Sequence, residues 1–246
     1  SPQHAGAHNP DFLRPRVDPS GDGLLRGKAG SSVRLMTLAP ELEHALPAIR
    51  DLRARGVVVG IGHTAASYEQ ALAAFDAGAT YGTHFFNAMP PLHHRAPGAL
   101  GALLADERVT IGLIADGLHV HPSIFAWLIK AKGVAHITLV TDAMAGAGVG
   151  VGEYHLGEQR VRVDKTSARL ADGTLAGSLL TMDQAIRNLV AWRVCSLADA
   201  LTLASTTPAR VLNLNHLGRI AVGCAADLVM LDENLRVRQT LVGGEE

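Results

Sequence analysis

A chain of 246 residues is long enough for one large α/β domain or two small ones, and 48% hydrophobic residues with only 4% aromatic fit a core packed from Ala, Val, Leu and Gly. Lys+Arg 22 against Asp+Glu 23 leaves a formal net charge of -1 with no basic or acidic block, which excludes an electrostatic nucleic-acid footprint and makes any anion recognition local. Cys195 and Cys224 are too few for a disulfide framework, no signal-peptide pattern is present, and no apolar stretch approaches the roughly 18 residues that span a bilayer, so a cytoplasmic location is expected, with no membrane partner.

Strand and helix patterns alternate from Val33 to about Leu212. Residues 33–39 read as a strand closed by Pro40, and a helix follows as far as Gly56. Residues 57–61 form the next strand, then comes a helix in which Ser67 and Gln70 have capping-box spacing and Gly78 is the stop. After strands at 79–84 and 111–119, Pro122 suits a first helical turn, with Ile124, Trp127 and Leu128 as the apolar face and Gly133 as the end. A strand at 137–140 leads to Asp142. Residues 150–175 break the rhythm: alternation through Arg160-Val161-Arg162-Val163, with turn signals at Asp164-Lys165 and Asp172-Gly173, predicts a β-hairpin insertion. Thr181 and Gln184 open another capped helix, and residues 196–205 make one more before Pro208. From Leu217 the texture is short strands at 218–220, 226–231 and 235–242. The expected organisation is a β/α catalytic domain over residues 1–212 and strands of a small β-sandwich over 213–246.

Four of the apolar runs end on a histidine or an aspartate, namely His63, His84, His119 and Asp142. A buried parallel strand reads as a short β-branched run, and in a β/α barrel the chemistry sits at the carboxyl ends of several such strands. No glycine-rich phosphate loop follows any strand, which weakens the open nucleotide-binding sheet and favours an α/β fold of the TIM-like (β/α)8 type. About five barrel strands can be counted against the eight of a closed barrel, so the first strands are expected to be missing at the amino end.

Seven stretches then carry a resemblance: Gly6-Ala7-His8-Asn9-Pro10, Thr37-Leu38-Ala39-Pro40-Glu41, Gly62-His63-Thr64, Thr83-His84-Phe85-Phe86-Asn87-Ala88-Met89-Pro90, Asp116-Gly117-Leu118-His119, Val140-Thr141-Asp142-Ala143 and Gly173-Thr174-Leu175-Ala176-Gly177-Ser178. In order and spacing, with the closing Gly218-Arg219-Ile220 and Ala226-Asp227-Leu228, they resemble the N-acetylglucosamine-6-phosphate deacetylase family of the amidohydrolase superfamily, over its carboxyl-terminal two-thirds. The His-x-x-Asn-Ala-Met-Pro and Asp-Gly-Leu-His blocks are specific to that deacetylase, whereas the closing strand pattern is common to amidohydrolases.

A lone histidine at a strand end is most often structural, but two on consecutive strands are good ligands for a divalent ion. The resemblance makes His63 and His84 metal ligands, with zinc expected and iron, cobalt or manganese as alternatives. The third family ligand, a glutamate upstream of the histidine matched by His8, falls before Ser1. Glu41 matches a different family glutamate and reads as a strand-end or helix-start residue. Asp142 is the expected general base and acid, since amide hydrolysis needs one proton taken from water and another given to the departing nitrogen. The competing reading of Asp142 is a helix N-cap.

The resemblance also makes His8 a hydrogen-bond donor to the acetyl carbonyl, and Arg95 and His119 the 6-phosphate contacts, reaching across a homodimer interface. Ala7, Asn87, Ala88, Leu175, Ala176 and Gly177 are expected to touch the sugar. His93, His94, His44, His136, His155 and His216 read as surface or packing residues, while His121 stays open. The implied activity is metal-dependent hydrolysis of N-acetyl-D-glucosamine 6-phosphate in amino-sugar metabolism. The alternatives are another amidohydrolase of dihydroorotase-like type, or an inactive truncated remnant. Residues 1–246 alone are expected to bind metal weakly and to show negligible activity, because catalytic zinc takes three protein ligands.

Overall fold

The computed structural model describes residues 1–14, 16–18 and 32–246. Strand β1 (Leu35–Leu38) pairs in parallel with β2 (Val58–Ile61), β2 with β3 (Tyr81–Gly82) and β3 with β4 (Thr110–Ile114). With β5 (Ile137–Val140) the sheet order is β1-β2-β3-β4-β5. Strand order follows chain order without reversal, as in a barrel wall; a doubly wound sheet turns back at a switch point. Helices α1 (Ala45–Ala54), α2 (Tyr68–Ala77), α3 (Gly98–Ala105) and α4 (Pro122–Lys132) connect successive strands. Every residue of β2 and β4 is buried, as in strands covered on both faces.

Contacts gather the chain into two compact units, Ser1–Gly112 with Ala143–Leu179, and Leu113–Asp142 with Leu180–Glu246. In the first, two glycines set the spacing of the strands. A Cβ on Gly60 would lie 2.8 Å from Thr83 Oγ1, and one on Gly62 would lie 2.9 Å from Thr83 Cβ and 3.1 Å from Thr37 Cγ2. The space is taken by a 2.8 Å hydrogen bond between the Thr37 and Thr83 hydroxyls, which ties β1 to the end of β3 across the middle strand.

Local chemistry sets most helix ends as the sequence predicts. Ser67 and Gln70 form a reciprocal capping box on α2, Gly78 closes it at φ 116, and Pro122 opens α4. Thr181 departs from its expected role. Its hydroxyl donates to the Asp183 carboxylate, a stronger acceptor close by, so α5 (Met182–Ala191) starts without a side-chain cap. The buried face of α4 is Phe125, Leu128 and Lys132, while Trp127 is 44% exposed, because the i, i+3 and i+7 positions from Phe125 leave 127 on the other side. The last helix also runs past its predicted end. From α6 (Leu197–Leu201) a π-helical stretch, Thr202–Thr206, leads into α7 (Thr207–Val211), where Pro208 occupies the first turn and its missing N–H is tolerated.

Two strands are shorter than their apolar runs. The run at 79–84 yields only Tyr81–Gly82, and the run at 111–119 stops at Ile114 because the Asp116 carboxylate folds the residues after it into a turn. The insertion at 150–175 contains β6 (Gly152–Leu156), β7 (Gln159–Val163) and β8 (Ala168–Arg169), one strand more than a hairpin. Amides of Thr166 and Ser167 donate to Asp164 in the β7–β8 turn and hold its carboxyl down at about 2. At the carboxyl end β9 (Leu228–Leu231) and β10 (Val237–Leu241) form an antiparallel pair, and residues 218–220 form no strand; Gly218 lies in a turn at φ 77 whose carbonyl accepts from the Thr206 hydroxyl. Where sandwich strands were expected, the described residues hold this one hairpin.

Gly60→Ala places a methyl against the Thr83 hydroxyl. It is expected to cost about 1–3 kcal/mol of stability, measured by urea unfolding, through overpacking and loss of the threonine pair.

Candidate active site

His63, His84 and Asp142 each stand two residues beyond the end of their own strand, β2, β3 and β5, and each has a left-handed backbone, at φ 48, 30 and 50. Such a conformation is uncommon outside glycine, and it turns a side chain out of the strand direction at a functional terminus. Asp116 occupies the same position after β4.

In the first unit the Nε2 atoms of His63 and His84 lie 2.9 Å apart, with ring centroids at 4.7 Å. His63 Nδ1 is 2.9 Å from the His4 carbonyl, which can only accept, so the proton sits on Nδ1 and Nε2 presents its lone pair. Burial, and then the neighbouring His84, push the His63 pKa down to about 4, so the ring is neutral at neutral pH. A neutral imidazole with one nitrogen tied to a carbonyl and the other aimed at a second imidazole is the state in which histidine binds metal. Two nitrogens on a tetrahedral ion at 2.0–2.1 Å are about 3.3 Å apart, a few tenths of an ångström from the separation here. The pair therefore fits two positions of a divalent site. Among the described residues no group of three His, Cys, Asp or Glu side chains is placed to hold an ion.

The loops that carry these rings are held from several sides. Glu41 accepts from the Thr64 hydroxyl and, at 2.7 Å, from the Ala65 amide, while Thr64 N donates to the Ala88 carbonyl at 3.1 Å. Both carboxylate oxygens of Glu41 are thus engaged beside His63, in keeping with a strand-end role. Phe85 N donates to Gly112 O at 2.8 Å, and the Asn87 side-chain amide donates to the carbonyls of His84 and Phe85. Gly6 approaches from the amino end: at φ 58, a Cβ there would lie 3.2 Å from the His63 ring.

His8, two residues on, is exposed and donates from Nδ1 to Ala5 O, with its ring edge-on to His63 at 4.7 Å between centroids. Ala7 is buried in a core with Met144, Val161, Val163, Ala168 and Ala176, so the β6–β8 sheet backs the loop that presents His8. Asn9 Nδ2 donates to Glu158 on the turn of the same sheet. Ala176 spends its methyl on that core and its amide on the Ala168 carbonyl, and Ala88 spends its carbonyl on Thr64. Leu175 bridges to Arg169, and Gly177 is left-handed at φ 71. Asn87 keeps a side-chain oxygen that bonds nothing among the described residues.

Arg95 is exposed, and its Nη1 lies 2.8 Å from His94 Nε2, while its amide donates to His93 Nδ1. His93 and His94, read from sequence as surface residues, are exposed and border the arginine. In the second unit the Asp142 carboxylate is exposed and starts no helix, so the N-cap reading is not realised. His119 Nδ1 lies 2.6 Å from Asp116 Oδ2, and both side chains are at least nine-tenths buried. Burial works to raise the Asp116 pKa, but hydrogen bonds from the His119 ring and from the amides of His119 and Leu118 outweigh it and leave the carboxyl below its usual range. Asp116, whose i, i+3 spacing to His119 is legible in the sequence, is the partner of that ring. His121 resolves as the N-cap of α4, accepting from Ser123 N.

Parallel strands in chain order, with two imidazoles converging at their carboxyl ends, are the arrangement of a β/α-barrel wall. The chain belongs to the Amidohydrolase family, whose model matches residues 16–246. It is 39% identical to N-acetylglucosamine-6-phosphate deacetylase of Lysinibacillus sphaericus, over 99% of this chain and 63% of the relative. It is 42% identical to N-acetylgalactosamine-6-phosphate deacetylase of Escherichia coli O157:H7, over 100% and 65%. A variant of the Mycobacterium smegmatis N-acetyl-D-glucosamine-6-phosphate deacetylase, solved with N-acetyl-D-glucosamine-6-phosphate, superposes with a TM-score of 0.93 at 43% identity, covering 100% of this chain and 65% of that one. The chain thus spans about 63–65% of the length of these relatives. The family implies a divalent metal. No helix among the described residues is long and apolar enough to cross a membrane.

Because the folded His63 pKa is depressed, the unfolded chain takes up this proton first as pH falls. Stability is therefore complete above about pH 6.5 and declines toward pH 4, by an amount of order 2 kcal/mol once screening of a partly exposed ring is allowed for. Urea unfolding between pH 7 and pH 4 checks it: His63→Ala is expected to flatten this slope.

Proposed function

We propose that this chain carries the active site of a metal-dependent carbon–nitrogen hydrolase that converts N-acetyl-D-glucosamine 6-phosphate and water to glucosamine 6-phosphate and acetate. The observation that carries the reading is the His63–His84 pair, converging at Nε2 with His63 neutral and tautomer-fixed, in a chain about 40% identical to deacetylases of that sugar phosphate. His63 and His84 would hold the ion, for which zinc suits imidazole donors best; iron, cobalt and manganese are the other candidates. A bound divalent ion supplies Lewis acidity and lowers the pKa of water.

The rest is the work of this chain's own side chains. Asp142 takes the proton as the water oxygen bonds to the acetyl carbon, then returns a proton to the amide nitrogen as the carbon–nitrogen bond breaks. A carboxylate without hydrogen-bond partners among the described residues is free for that work. His8 is exposed; on giving up its contact with the Ala5 carbonyl it donates that ring N–H to the acetyl oxygen and stabilises the charge that develops there. Arg95 and His119 take the 6-phosphate across the interface of a homodimer, with Asn87 on the sugar. Free Cys195 and Cys224 accord with a reducing cytoplasm. The galactosamine epimer is the second substrate to assay, on the strength of the 42% identical relative.

Asp142→Asn is expected to lower turnover by at least a thousandfold while metal content by elemental analysis stays near that of the parent. His63→Ala or His84→Ala loses both. An Asp142→Asn protein devoid of metal would make Asp142 a ligand.

Arg95→Ala is expected to raise KM for the phosphorylated sugar by a factor corresponding to about 2–3 kcal/mol, the scale of a charge-assisted contact, with much less effect on unphosphorylated N-acetylglucosamine. Steady-state acetate release with both sugars measures the split, and equal losses would overturn the phosphate assignment.

A further inference from the structure

We propose that Asp116 is a positioning residue that makes His119 a doubly protonated donor to phosphate, so that binding of the phosphorylated sugar takes up one proton from solution. The inference rests on the reading of His119 as a phosphate contact.

The geometry comes first. Asp116 stands two residues past β4 and divides its oxygens between two tasks. Oδ1 accepts from the amides of Leu118 and His119, each at 2.9 Å, and fixes the turn; Oδ2 meets His119 Nδ1 at 2.6 Å. The turn is anchored from outside by Asn188, which donates to the Ala115 carbonyl at 2.7 Å, and by Trp192, which packs so close that a Cβ on Gly117 would lie 3.2 Å from it. With the His119 side chain 5% exposed and that of Asp116 10% exposed, the pair is too enclosed to reorient freely.

The proton count follows. A carboxylate only accepts, so His119 Nδ1 carries a proton, and in the neutral ring Nε2 presents a lone pair. Among the described residues nothing hydrogen-bonds Nε2. A phosphate oxygen is also an acceptor, so it can meet Nε2 only if a second proton arrives there, and the Asp116 charge balances the resulting imidazolium. Of the ionisable groups on the neighbouring elements, Asp142 past β5 and Lys130 of α4 are exposed, and His121, Asp183 and Arg187 are engaged elsewhere. His121, at the start of α4, faces the Ser123 hydroxyl at 2.8 Å; Asp183 and Arg187 of α5 pair with each other, and Arg187 also donates to the Leu235 carbonyl.

Asp116→Asn separates the two tasks of the carboxylate. The amide oxygen still accepts from the turn, but its NH2 faces Nδ1 and moves the ring proton to Nε2, where a neutral donor meets phosphate with no proton taken up. Calorimetric titration of N-acetylglucosamine 6-phosphate at pH 8 into the Asp142→Asn protein, in buffers of different ionisation enthalpy, counts the protons. The expected result is uptake of about one proton per ligand, falling to near zero with roughly tenfold weaker binding when Asp116→Asn is added. No uptake in the Asp142→Asn protein, or equal uptake with and without Asp116→Asn, overturns the inference. His119→Ala in the same background tests the underlying reading: unchanged affinity and uptake would remove His119 from the phosphate site, whereas weaker binding there with no change on Asp116→Asn would leave the site and defeat only the role of Asp116. Should Asp116→Asn fail to fold, 15N NMR of the unsubstituted protein decides, with Nδ1 protonated in the free state expected and an Nε2–H neutral tautomer overturning.

Discussion

The left-handed backbone two residues beyond β2 and β3 is the constraint on which the rest of the site depends. A non-glycine residue held there costs on the order of 1 kcal/mol or more, and it persists only where neighbouring contacts over-determine it. At His63 those contacts are the Glu41 carboxylate on Thr64 and Ala65, the Ala88 carbonyl on Thr64, and the His4 carbonyl on the ring itself. At His84 they are the Phe85–Gly112 bond and the Asn87 side chain folded back onto its own turn. Each bond is modest alone, but together they hold two imidazole Nε2 atoms 2.9 Å apart.

The glycines beneath the site serve the same end. Gly60 and Gly62 leave one face of the middle segment without side chains, so the hydroxyls of Thr37 and Thr83 meet above it and tie β1 to the loop that carries His84. The β6–β8 insertion backs the amino-terminal loop. Its apolar face takes Ala7 and Ala176, so two segments far apart in sequence are fixed by one small core, and His8 is left outside it.

Charge is handled locally throughout. A chain of net charge -1 offers no long-range field to a sugar phosphate, and the groups proposed to meet it sit in short pairs: Arg95 with His94, His119 with Asp116. In both, a neighbour that composition ignores fixes the orientation of the group that would meet the anion. Such pairing favours directional recognition over bulk attraction.

The sequence by itself determined the alternation of strands and helices, the Ser67–Gln70 cap, the Gly78 and Gly133 stops, and the placement of His63, His84 and Asp142 after apolar runs, because period, turn chemistry and capping are local properties. The blocks around those residues were enough to point to the amidohydrolases, to which the family match then assigned the chain. Tertiary structure decided what local signals cannot encode. Apolar runs ending at His84 and His119 gave strands that stop earlier, since strand length is set by the partner strand and by a carboxylate that closes a turn. Trp127 went to the surface and Pro208 into a helix because packing and a π-helical stretch overrode composition. Glu41 showed its role only when the fold brought Thr64 and Ala65 to it, and the neutral state of His63 depends on burial and on a carbonyl 59 residues away, a contact that no reading along the chain contains.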